Sequence, residues 1–406
     1  MMAEQQVLAL NGDEAVALAV KQCNVDVVAA YPITPQTIIV ERFSEYVHDG
    51  EVKTKFIRVE SEHSALSACV GAAAAGARAF TATAANGLAL MHEIVYIAAS
   101  LRTPVVMAIV NRALSGPINI HCDHADSMAE RDAGWVQLYT EDAQEAYDTV
   151  IQAFRIAEHP DVQLPVMVML DGFLVSHTLQ NVKVLPDKTV AEFVGQRKPV
   201  NIELFGEQVP LMLNPEKPVT FGPLDLYDYY YEHKMQQIHA MTKVPEVVRQ
   251  VHDEYAKISG RSYGDGILQP YMMEDAEIAL VGLSSTMGTV RTMVDKLRDR
   301  GIKAGALRIK MFRPFPHKQV AETLQNVKAV GVLDRSASIG AQGGPVFMEV
   351  RTALYDLPEK PVTVDFIYGL GGRDAPPTQI EQIFQKLREA LEKKPEKTTM
   401  YIGVRT

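Results

Sequence analysis

Short apolar runs alternate with helical patterns along the first half of the chain. The clearest run, VVMAIV at 105–110, is wholly apolar and predicts a strand that is buried on both faces. Other runs at 25–30 and 166–170 lie next to segments with helical spacing at 12–22 and 144–158. Because an all-parallel sheet needs helices on both faces, this alternation predicts an α/β fold with a parallel sheet at its centre.

The alternation is interrupted once and then returns. A stretch with Lys-Pro and Asn-Pro turn signals, an aromatic run and a polar helix separates two α/β parts. We therefore expect four segments along the chain: a parallel-sheet domain over 1–190, a linking excursion with a helix over 191–265, a smaller α/β domain over 266–390, and a charged tail over 391–406.

Composition excludes several classes of protein. With 47% hydrophobic residues the chain can bury real cores, so intrinsic disorder is excluded. The formal net charge of −10 argues against nucleic-acid binding, which needs a basic face. The most membrane-like stretch, 65–100, is broken by charged residues such as Arg78 and Glu93, so we expect buried structure there and no membrane span.

The cysteines limit the metal chemistry. Cys23, Cys69 and Cys122 lie far apart, and no pair has the close spacing that is typical of zinc or iron–sulfur ligands. Few, scattered cysteines are also typical of a reducing compartment. Since the start of the sequence lacks the basic region and long apolar core of a secretory signal, we expect a cytoplasmic protein.

Two polar clusters follow early strands of the first domain, at the end of a parallel sheet where ligands bind. In YPITP at 31–35, two prolines hold Thr34 in a stiff loop. The alternative is a rigid turn in which Thr34 or Thr37 caps the next helix. In ESEH at 60–63, Glu62 is either a semi-buried acid that shares a proton with a ligand nitrogen or, as we prefer for Glu60, a helix-capping carboxylate.

Two more clusters follow the next strands. The small residues of TATAANG at 81–87 allow a ring or another backbone to approach closely, with tight helix packing as the alternative. Arg112 is placed to bind a carboxylate through two hydrogen bonds, with an exposed ion pair as the alternative. Asp123, His124 and Asp126 fit no defined metal spacing and favour a hydrogen-bonded structural loop.

Turns that bear arginine or glycine also lie at strand ends in the second domain. They are RPFP at 313–316, DRS at 334–336 and GLGGRD at 369–374. Such turns are suited to docking against another subunit or to binding a polyphosphate, with ordinary turns as the preferred interpretation.

In their order and spacing, these motifs resemble one family. YPITP, ESEHSA, a Thr-rich strand followed by GLALMHE, NRALSGPINI with CDH, and LDGF with SH are similar to the alpha subunit of pyruvate:ferredoxin oxidoreductase and its 2-oxoacid relatives. The later segments LRIKMFRPFP, LDRS with GAQGGP, and YGLGGRD match the same subunit, so the resemblance covers about residues 7–387. It implies a thiamine-diphosphate-binding domain of the pyrimidine type, followed by a smaller domain like the C-terminal domain of transketolase.

The resemblance also implies roles for single residues. Glu62 matches the glutamate that hydrogen-bonds N1′ of the aminopyrimidine ring, and Thr34 and Arg112 match residues that hold the 2-oxoacid. These three are the catalytic candidates. Further candidates are Tyr31, Pro32, Asn86 and Gly87 for cofactor binding, and Ile120 and His121 for the substrate pocket.

The reaction that the resemblance implies is CoA-dependent oxidative decarboxylation of a 2-oxoacid, with pyruvate as the first choice. The sequence shows no cysteine set for iron–sulfur clusters and no motif for the cofactor's diphosphate and its Mg²⁺. We therefore expect an obligate complex, in which a beta subunit holds the diphosphate and Mg²⁺ of a shared thiamine diphosphate. Gamma and delta subunits complete the complex, and the delta subunit carries the iron–sulfur clusters. The electron acceptor is ferredoxin or a NAD-linked flavin subunit.

Two departures from the family pattern concern the active site. The family often has Ser-Gln where this chain has Ala85 and Asn86, and a large aromatic residue where it has His121. A smaller, more polar residue at 121 would enlarge the pocket, so an aryl 2-oxoacid such as phenylglyoxylate is the alternative substrate. The intact Thr34 argues against the oxalate-specific relatives, which carry arginine there.

Two alternatives belong to other classes of protein. The first is a non-catalytic scaffold subunit, and the joint presence of Glu62, Thr34 and Arg112 argues against it. The second is a self-contained nicotinamide dehydrogenase. That class needs a glycine fingerprint after the first strand, where this chain has YPITP.

Overall fold

The computed structural model describes residues 4–204, 206–393 and 395–405. Its strands, in chain order, are β1 Gln6–Leu10, β2 Val27–Ala30, β3 Lys55–Arg58, β4 Ala79–Thr83, β5 Val105–Asn111, β6 Val136–Tyr139, β7 Val166–Asp171, β8 Gln180–Val184, β9 Asn201–Leu204, β10 Glu207–Pro210, β11 Leu268–Tyr271, β12 Ile278–Gly282, β13 Ala304–Ile309, β14 Met311–Arg313, β15 Ala329–Asp334, β16 Val362–Ile367 and β17 Thr399–Tyr401. Its helices are α1 Gly12–Gln22, α2 Thr37–His48, α3 Glu62–Ala74, α4 Ala85–Leu90, α5 His92–Ser100, α6 Ala125–Ala129, α7 Ala143–Ala157, α8 Asp187–Val194, α9 Tyr230–Ser259, α10 Thr286–Arg298, α11 His317–Leu324, α12 Pro345–Ala353 and α13 Pro377–Glu392.

The larger sheet carries the predicted parallel strands. Its order is β14-β6-β7-β5-β4-β2-β3, and the strands from β2 to β7 run parallel, whereas β14 pairs with β6 in the antiparallel sense. Every residue of β4, β5 and β7 is buried, as expected for parallel strands that helices cover on both faces. The predicted α/β class is confirmed.

The second sheet has the order β11-β13-β12-β15-β16-β17, and all of its pairings are parallel except that of β11 with β13. The last strand lies in the segment 391–406, which the sequence predicts to be a charged tail. Thr399–Tyr401 instead extends the sheet, and Ile402 packs into its core with 8% of its surface exposed. Burial of this apolar side chain explains why the charged segment ends against the sheet.

Local contacts set where several helices begin and end. The Asn11 side chain accepts a hydrogen bond from the backbone N–H of Glu14, whose carboxylate accepts from the N–H of Asn11, and this capping box starts α1. The polar helix expected within the linking excursion 191–265 is α9. The segment after β4 forms two short helices, α4 and α5, which meet at Met91.

Buried ion pairs connect the two sheets. Both carboxylate oxygens of Glu145, on the buried helix α7, accept hydrogen bonds from Arg308 of β13 at 2.6 and 2.7 Å. The Nζ of Lys310 lies 2.9 Å from the same carboxylate. Burial raises the pKa of Glu145, but Arg308 and Lys310 outweigh it and lower that pKa to about 2. The larger sheet and the second sheet therefore share one packed interior.

Within the part of the chain that the structure describes, we find no helix that is both long enough and apolar enough to cross a membrane.

Candidate active site

The polar clusters predicted from the sequence meet at one edge of the larger sheet. The strand β2 lies between β3 and β4, so the chain reverses its direction of travel across the sheet at this point. In open parallel sheets, a crevice for ligands forms at such a reversal, outside the carboxyl ends of the strands. The loops that follow β2, β3, β4, β5 and β7 all open on this side.

The YPITP loop presents its polar groups to the crevice. Tyr31, Pro32 and Thr34 are exposed, whereas Pro35 is buried against the Gly172 loop that follows β7. The helix α2 begins at Thr37, and neither Thr34 nor Thr37 caps it, because its N-cap is Gln36 without a side-chain cap bond. The capping interpretation of this loop is therefore wrong.

Gln36 holds the YPITP loop to the sheet. Its side-chain Nε2 donates to the carbonyl oxygens of Tyr31 and Ala82, both at 2.9 Å, and the residue is fully buried. These two bonds connect the loop after β2 with the neighbouring strand β4. Sequence reasoning missed this residue, since a glutamine next to a turn gives no signal of a contact 46 positions away.

Glu62 is buried in the first turn of α3, with 7% of its surface exposed. The side chain of Ser61 accepts a hydrogen bond from the N–H of Ser64 and starts the helix, so Glu62 is free of the capping role. The exposed Glu60 instead accepts a hydrogen bond from the Ser64 hydroxyl. The two neighbouring glutamates thus differ in burial and in partner.

Gly87 lies directly against the carboxyl group of Glu62. A Cβ atom placed on Gly87 would lie 2.7 Å from Oε1 of Glu62 and 2.5 Å from Oγ1 of Thr83. Any residue with a Cβ atom at position 87 would displace one of these groups. The contact brings the loop after β4 and the loop after β3 together, so two of the cofactor-binding candidates are adjacent.

An unpaired hydroxyl lies beside this contact, and a second one lies two residues earlier on β4. The hydroxyls of Thr81 and Thr83 are buried and have no hydrogen-bond partner among the described residues. Buried polar atoms normally have partners, so orphaned ones next to a buried acid are suited to a polar ligand. Glu62, Gly87 and these hydroxyls fit the aminopyrimidine part of thiamine diphosphate, a flat ring that carries both donors and acceptors. Asn86 is exposed, and its Oδ1 accepts a hydrogen bond from the N–H of Ser115 at 3.1 Å.

Arg112 is held at the crevice by carbonyl oxygens. Its Nε donates to the carbonyl of Asn119 and its Nη1 donates to the carbonyl of Thr34, both at 2.8 Å. The residue is only 7% exposed, so the alternative of an exposed ion pair is wrong. The structure thus brings Arg112 and Thr34 together, and Nη2 takes no part in either contact.

Asp126 receives four hydrogen bonds from the two loops and from its own turn. Its Oδ2 accepts from the backbone N–H groups of Ala85 and Arg112, and its Oδ1 accepts from Asn111 Nδ2 and from Ser127 N. Burial raises the pKa of Asp126 to about 6, although these donors oppose the rise. The residue therefore belongs to a hydrogen-bonded structural loop, as the sequence favoured.

Asp171 at the end of β7 forms a second buried cluster. His124 Nε2 lies 2.8 Å from its Oδ1, and Arg335 donates to its Oδ2 at 3.2 Å. Ligand atoms of Cys122, His124 and Asp171 lie within 4.8 Å of one another, which is the spacing of a metal-binding group. The Arg335 guanidinium already supplies a positive charge to this carboxylate, so the cluster is satisfied as an ion pair.

A turn of the second sheet contacts the loop that follows β5. In the GLGGRD turn, the N–H of Gly371 donates to Asp123 Oδ2 and its carbonyl accepts from Asn119 Nδ2, both at 3.0 Å. A Cβ atom on Gly372 would lie 2.2 Å from Cβ of His121. This turn therefore docks on the chain's own loop 119–123.

The DRS turn of the second sheet and the RPFP turn, which begins in β14 of the larger sheet, also have partners within the chain. Arg335 of DRS pairs with Asp171, and its carbonyl accepts a hydrogen bond from the N–H of His124 at 2.8 Å. Arg313 of RPFP pairs with Glu349 at 2.5 Å and donates from Nε to the carbonyl of Arg131 at 2.8 Å. These contacts fix the two sheets relative to each other.

The substrate-pocket candidates lie at the rim of the crevice. Ile120 and His121 are exposed, and the His121 ring lies 5.2 Å from the ring of Phe173, measured between centroids. Phe173 follows β7 and also packs against His177, at 4.7 Å between centroids. The sequence pattern LDGF with SH marks this region, but it does not reveal the ring contacts.

Two family models match the chain. Residues 18–253 match the model described as pyruvate flavodoxin/ferredoxin oxidoreductase, thiamine diphosphate-binding, and residues 276–380 match pyruvate:ferredoxin oxidoreductase core domain II. Together these matches define a thiamine-diphosphate-binding protein.

The chain belongs to the pyruvate flavodoxin/ferredoxin oxidoreductase family. It is similar to pyruvate synthase subunit PorA of Thermotoga maritima, with 57% identity over 378 residues that make up 93% of each chain. It is also similar to ketoisovalerate oxidoreductase subunit VorA of Pyrococcus abyssi, with 41% identity over 383 residues and 94% of each chain. The resemblance that the sequence motifs indicated is confirmed.

A solved structure shows the same fold. It is a 2-oxoglutarate:ferredoxin oxidoreductase from Magnetococcus marinus, with a TM-score of 0.73 at 20% identity. The likeness covers 95% of this chain and 65% of that longer chain.

Proposed function

We propose that this chain is the alpha subunit of a 2-oxoacid:ferredoxin oxidoreductase, which catalyses the CoA-dependent oxidative decarboxylation of pyruvate to acetyl-CoA and CO₂. Its relatives are named pyruvate synthase subunits, and one is named a ketoisovalerate oxidoreductase subunit. The solved structure with the same fold is described with 2-oxoglutarate, coenzyme A and succinyl-CoA bound, which supports coenzyme A as co-substrate.

The observation that carries this proposal is the contact of the buried Glu62 with Gly87. Thiamine diphosphate, when bound, supplies the nucleophilic carbon and the electron sink that decarboxylation of a 2-oxoacid needs. Glu62 would hold a proton at N1′ of the aminopyrimidine ring, and Gly87, which has no Cβ, lets the Glu62 carboxyl group lie against the loop after β4. Asn86, Tyr31 and Pro32 would border the same ring, since they lie on the loops that flank this contact.

Arg112 and Thr34 would hold the substrate. The Arg112 side chain is fixed through Nε and Nη1, and Nη2 has no acceptor in the part of the chain that the structure describes, so Nη2 would bind the carboxylate of a 2-oxoacid with little loss of side-chain freedom. Thr34 is exposed next to it and would donate its hydroxyl to the oxo group. Ile120 and His121 would border the side chain of the acid and set its size.

The other components of the reaction are proposed to come from partner subunits. Cys23, Cys69 and Cys122 are buried, and burial raises the pKa of each thiol, which disfavours the thiolate that binds iron. A delta subunit would therefore carry the iron–sulfur clusters that pass electrons to ferredoxin. A beta subunit would hold the diphosphate with Mg²⁺, and a gamma subunit would complete the complex.

The proposal is tested on the complex purified through a tag on this chain. Reduction of ferredoxin is measured with coenzyme A and, in turn, pyruvate, 2-oxoisovalerate, 2-oxoglutarate and phenylglyoxylate. We expect the highest kcat/KM with pyruvate and no turnover by the chain alone. The highest value with phenylglyoxylate would favour the aryl-acid alternative, in which a NAD-linked flavin subunit is the acceptor. Absence of turnover with every acid, in a complex that contains thiamine diphosphate, would refute the proposal.

A further inference from the structure

Asp126 connects two loops of the candidate active site. Its Oδ2 accepts hydrogen bonds from the backbone N–H groups of Ala85 and Arg112, each at 3.0 Å. Its Oδ1 accepts from Asn111 Nδ2 and from the N–H of Ser127, each at 2.7 Å. Since the residue is 1% exposed, water does not compete for these donors.

The two loops carry different parts of the site. Ala85 lies two residues before Gly87, which packs on Glu62, whereas the side chain of Arg112 reaches Thr34. Ala85 also has a φ of +42°, a backbone conformation that side chains with a Cβ rarely adopt. Its bond to Asp126 stabilises this conformation at the start of α4.

We infer that Asp126 is a positioning residue, which sets the placement of the loop 84–87 relative to Arg112. The inference rests on the proposed function, since it takes the first loop to bind the cofactor and Arg112 to bind the 2-oxoacid. Asp126 acts on both through backbone N–H groups, so a single buried carboxylate couples cofactor binding to substrate binding.

An ionised carboxylate suits this position because it only accepts hydrogen bonds. Asparagine has nearly the same shape, but an amide N–H₂ replaces one of the two carboxylate oxygens. The amide N–H₂ is itself a donor, so it cannot accept the hydrogen bonds that the replaced oxygen accepts. A buried donor that loses its acceptor destabilises the folded arrangement of its loop. The free-energy cost corresponds to about 10–100-fold in an equilibrium constant.

The test is the Asp126→Asn variant in the intact complex. We expect the KM for pyruvate to rise about 10–100-fold, by a larger factor than kcat falls. We expect the Kd of thiamine diphosphate, measured by fluorescence quenching on the cofactor-free complex with Mg²⁺, to rise as well. Values of KM and Kd within about twofold of the wild type would overturn the inference.

Ser127→Ala is the matched control. Ser127 is buried in the same cluster and contacts Asn111 at 2.9 Å and Tyr139 at 2.8 Å, but its hydroxyl does not touch Ala85 or Arg112. We expect it to lower the thermal midpoint as Asp126→Asn does, with KM and Kd unchanged. If it raised KM and Kd as much, the role of Asp126 would be structural only, and the inference would be wrong.

Two further measurements keep the outcome decisive. If Asp126→Asn does not assemble, Asn111→Ala removes one donor from the same carboxylate, and we expect a several-fold rise in KM and Kd. Unchanged values would again overturn the inference. If the wild-type complex oxidised no 2-oxoacid, the proposed function would fail, while the Kd of thiamine diphosphate would still test Asp126.

Discussion

Arg335 donates a hydrogen bond from Nη1 to Oδ2 of Asp171 at 3.2 Å, although the two residues lie 164 positions apart, Asp171 at the end of β7 and Arg335 just after β15 of the other sheet. Both side chains are almost fully buried, at 4% and 0% exposure. Burial raises the pKa of Asp171, but His124 and Arg335 outweigh it and hold that pKa well below its usual value. This pair joins the carboxyl ends of β7 and β15 behind the candidate site.

We expect Arg335→Gln to lower the free energy of unfolding by about 3–5 kcal/mol, because it removes a partner from a buried charge. Urea titration of the purified complex, followed by circular dichroism, measures the change. Arg300→Gln is the control, since Arg300 pairs with Glu381 at the surface, where the side chains are 58% and 41% exposed. The control should change the free energy by less than about 1 kcal/mol, and equal effects would contradict the prediction.

We expect Glu62→Gln to lower kcat by about 10²–10⁴-fold, because glutamine cannot take up and return a proton at the aminopyrimidine nitrogen. Steady-state ferredoxin reduction measures it. Glu60→Gln is the matched control, since Glu60 is exposed and accepts a hydrogen bond from the hydroxyl of Ser64 in the same helix start. A Glu62→Gln complex with a near-wild-type rate would favour the scaffold alternative.

Gly87→Ala tests the space beside Glu62. The added Cβ would lie 2.7 Å from Oε1 of Glu62, so the acid must shift. Overpacking of this kind typically costs about 1–3 kcal/mol, and we expect the Kd of thiamine diphosphate to rise roughly 5–100-fold. Gly71→Ala is the control, because a Cβ at Gly71 in α3 meets no described atom within 4 Å beyond the backbone of its own helix. A similar Kd in both variants would show that the cofactor does not use this space.

Glu145 predicts a pH dependence of stability. Its pKa falls from 4.5 to about 2 on folding, so the charged form contributes stability that is complete above pH 4.5 and is lost as the pH falls toward 2. This shift corresponds to about 3 kcal/mol. Glu145→Gln removes the titrating group. The difference in urea midpoint between wild type and variant should therefore shrink as the pH falls from 4.5 toward 2. A difference that stays constant from pH 5 to about pH 2 would contradict the assignment.

Local signals in the sequence predicted local features. The apolar run at 105–110 became β5, and the helical spacing at 12–22 became α1. Glu62 was placed correctly at a helix start after a strand, since Ser61 is a favoured N-cap residue. These features depend on neighbouring residues, which a linear pattern contains.

Long-range contacts could not be predicted in this way. Gln36 reaches Ala82, and Asp126 reaches Ala85, through side chains whose partners are set only by the folded sheet. The pairing of Arg335 with Asp171 depends on how two sheets pack, which no periodicity encodes. The roles of Glu62, Thr34 and Arg112 came from the resemblance to a family and stay predictions.

The pairing of β14 with β6 limits where the polypeptide can be divided into two pieces. Met311–Arg313 belongs to the second half of the chain, yet it covers the outer edge of the larger sheet. A fragment that ended near residue 265 would leave the backbone of β6 open to strands of other molecules, and such open edges promote aggregation. The halves are therefore not separable modules, and a split form of this protein would have to supply 311–313 from its second piece.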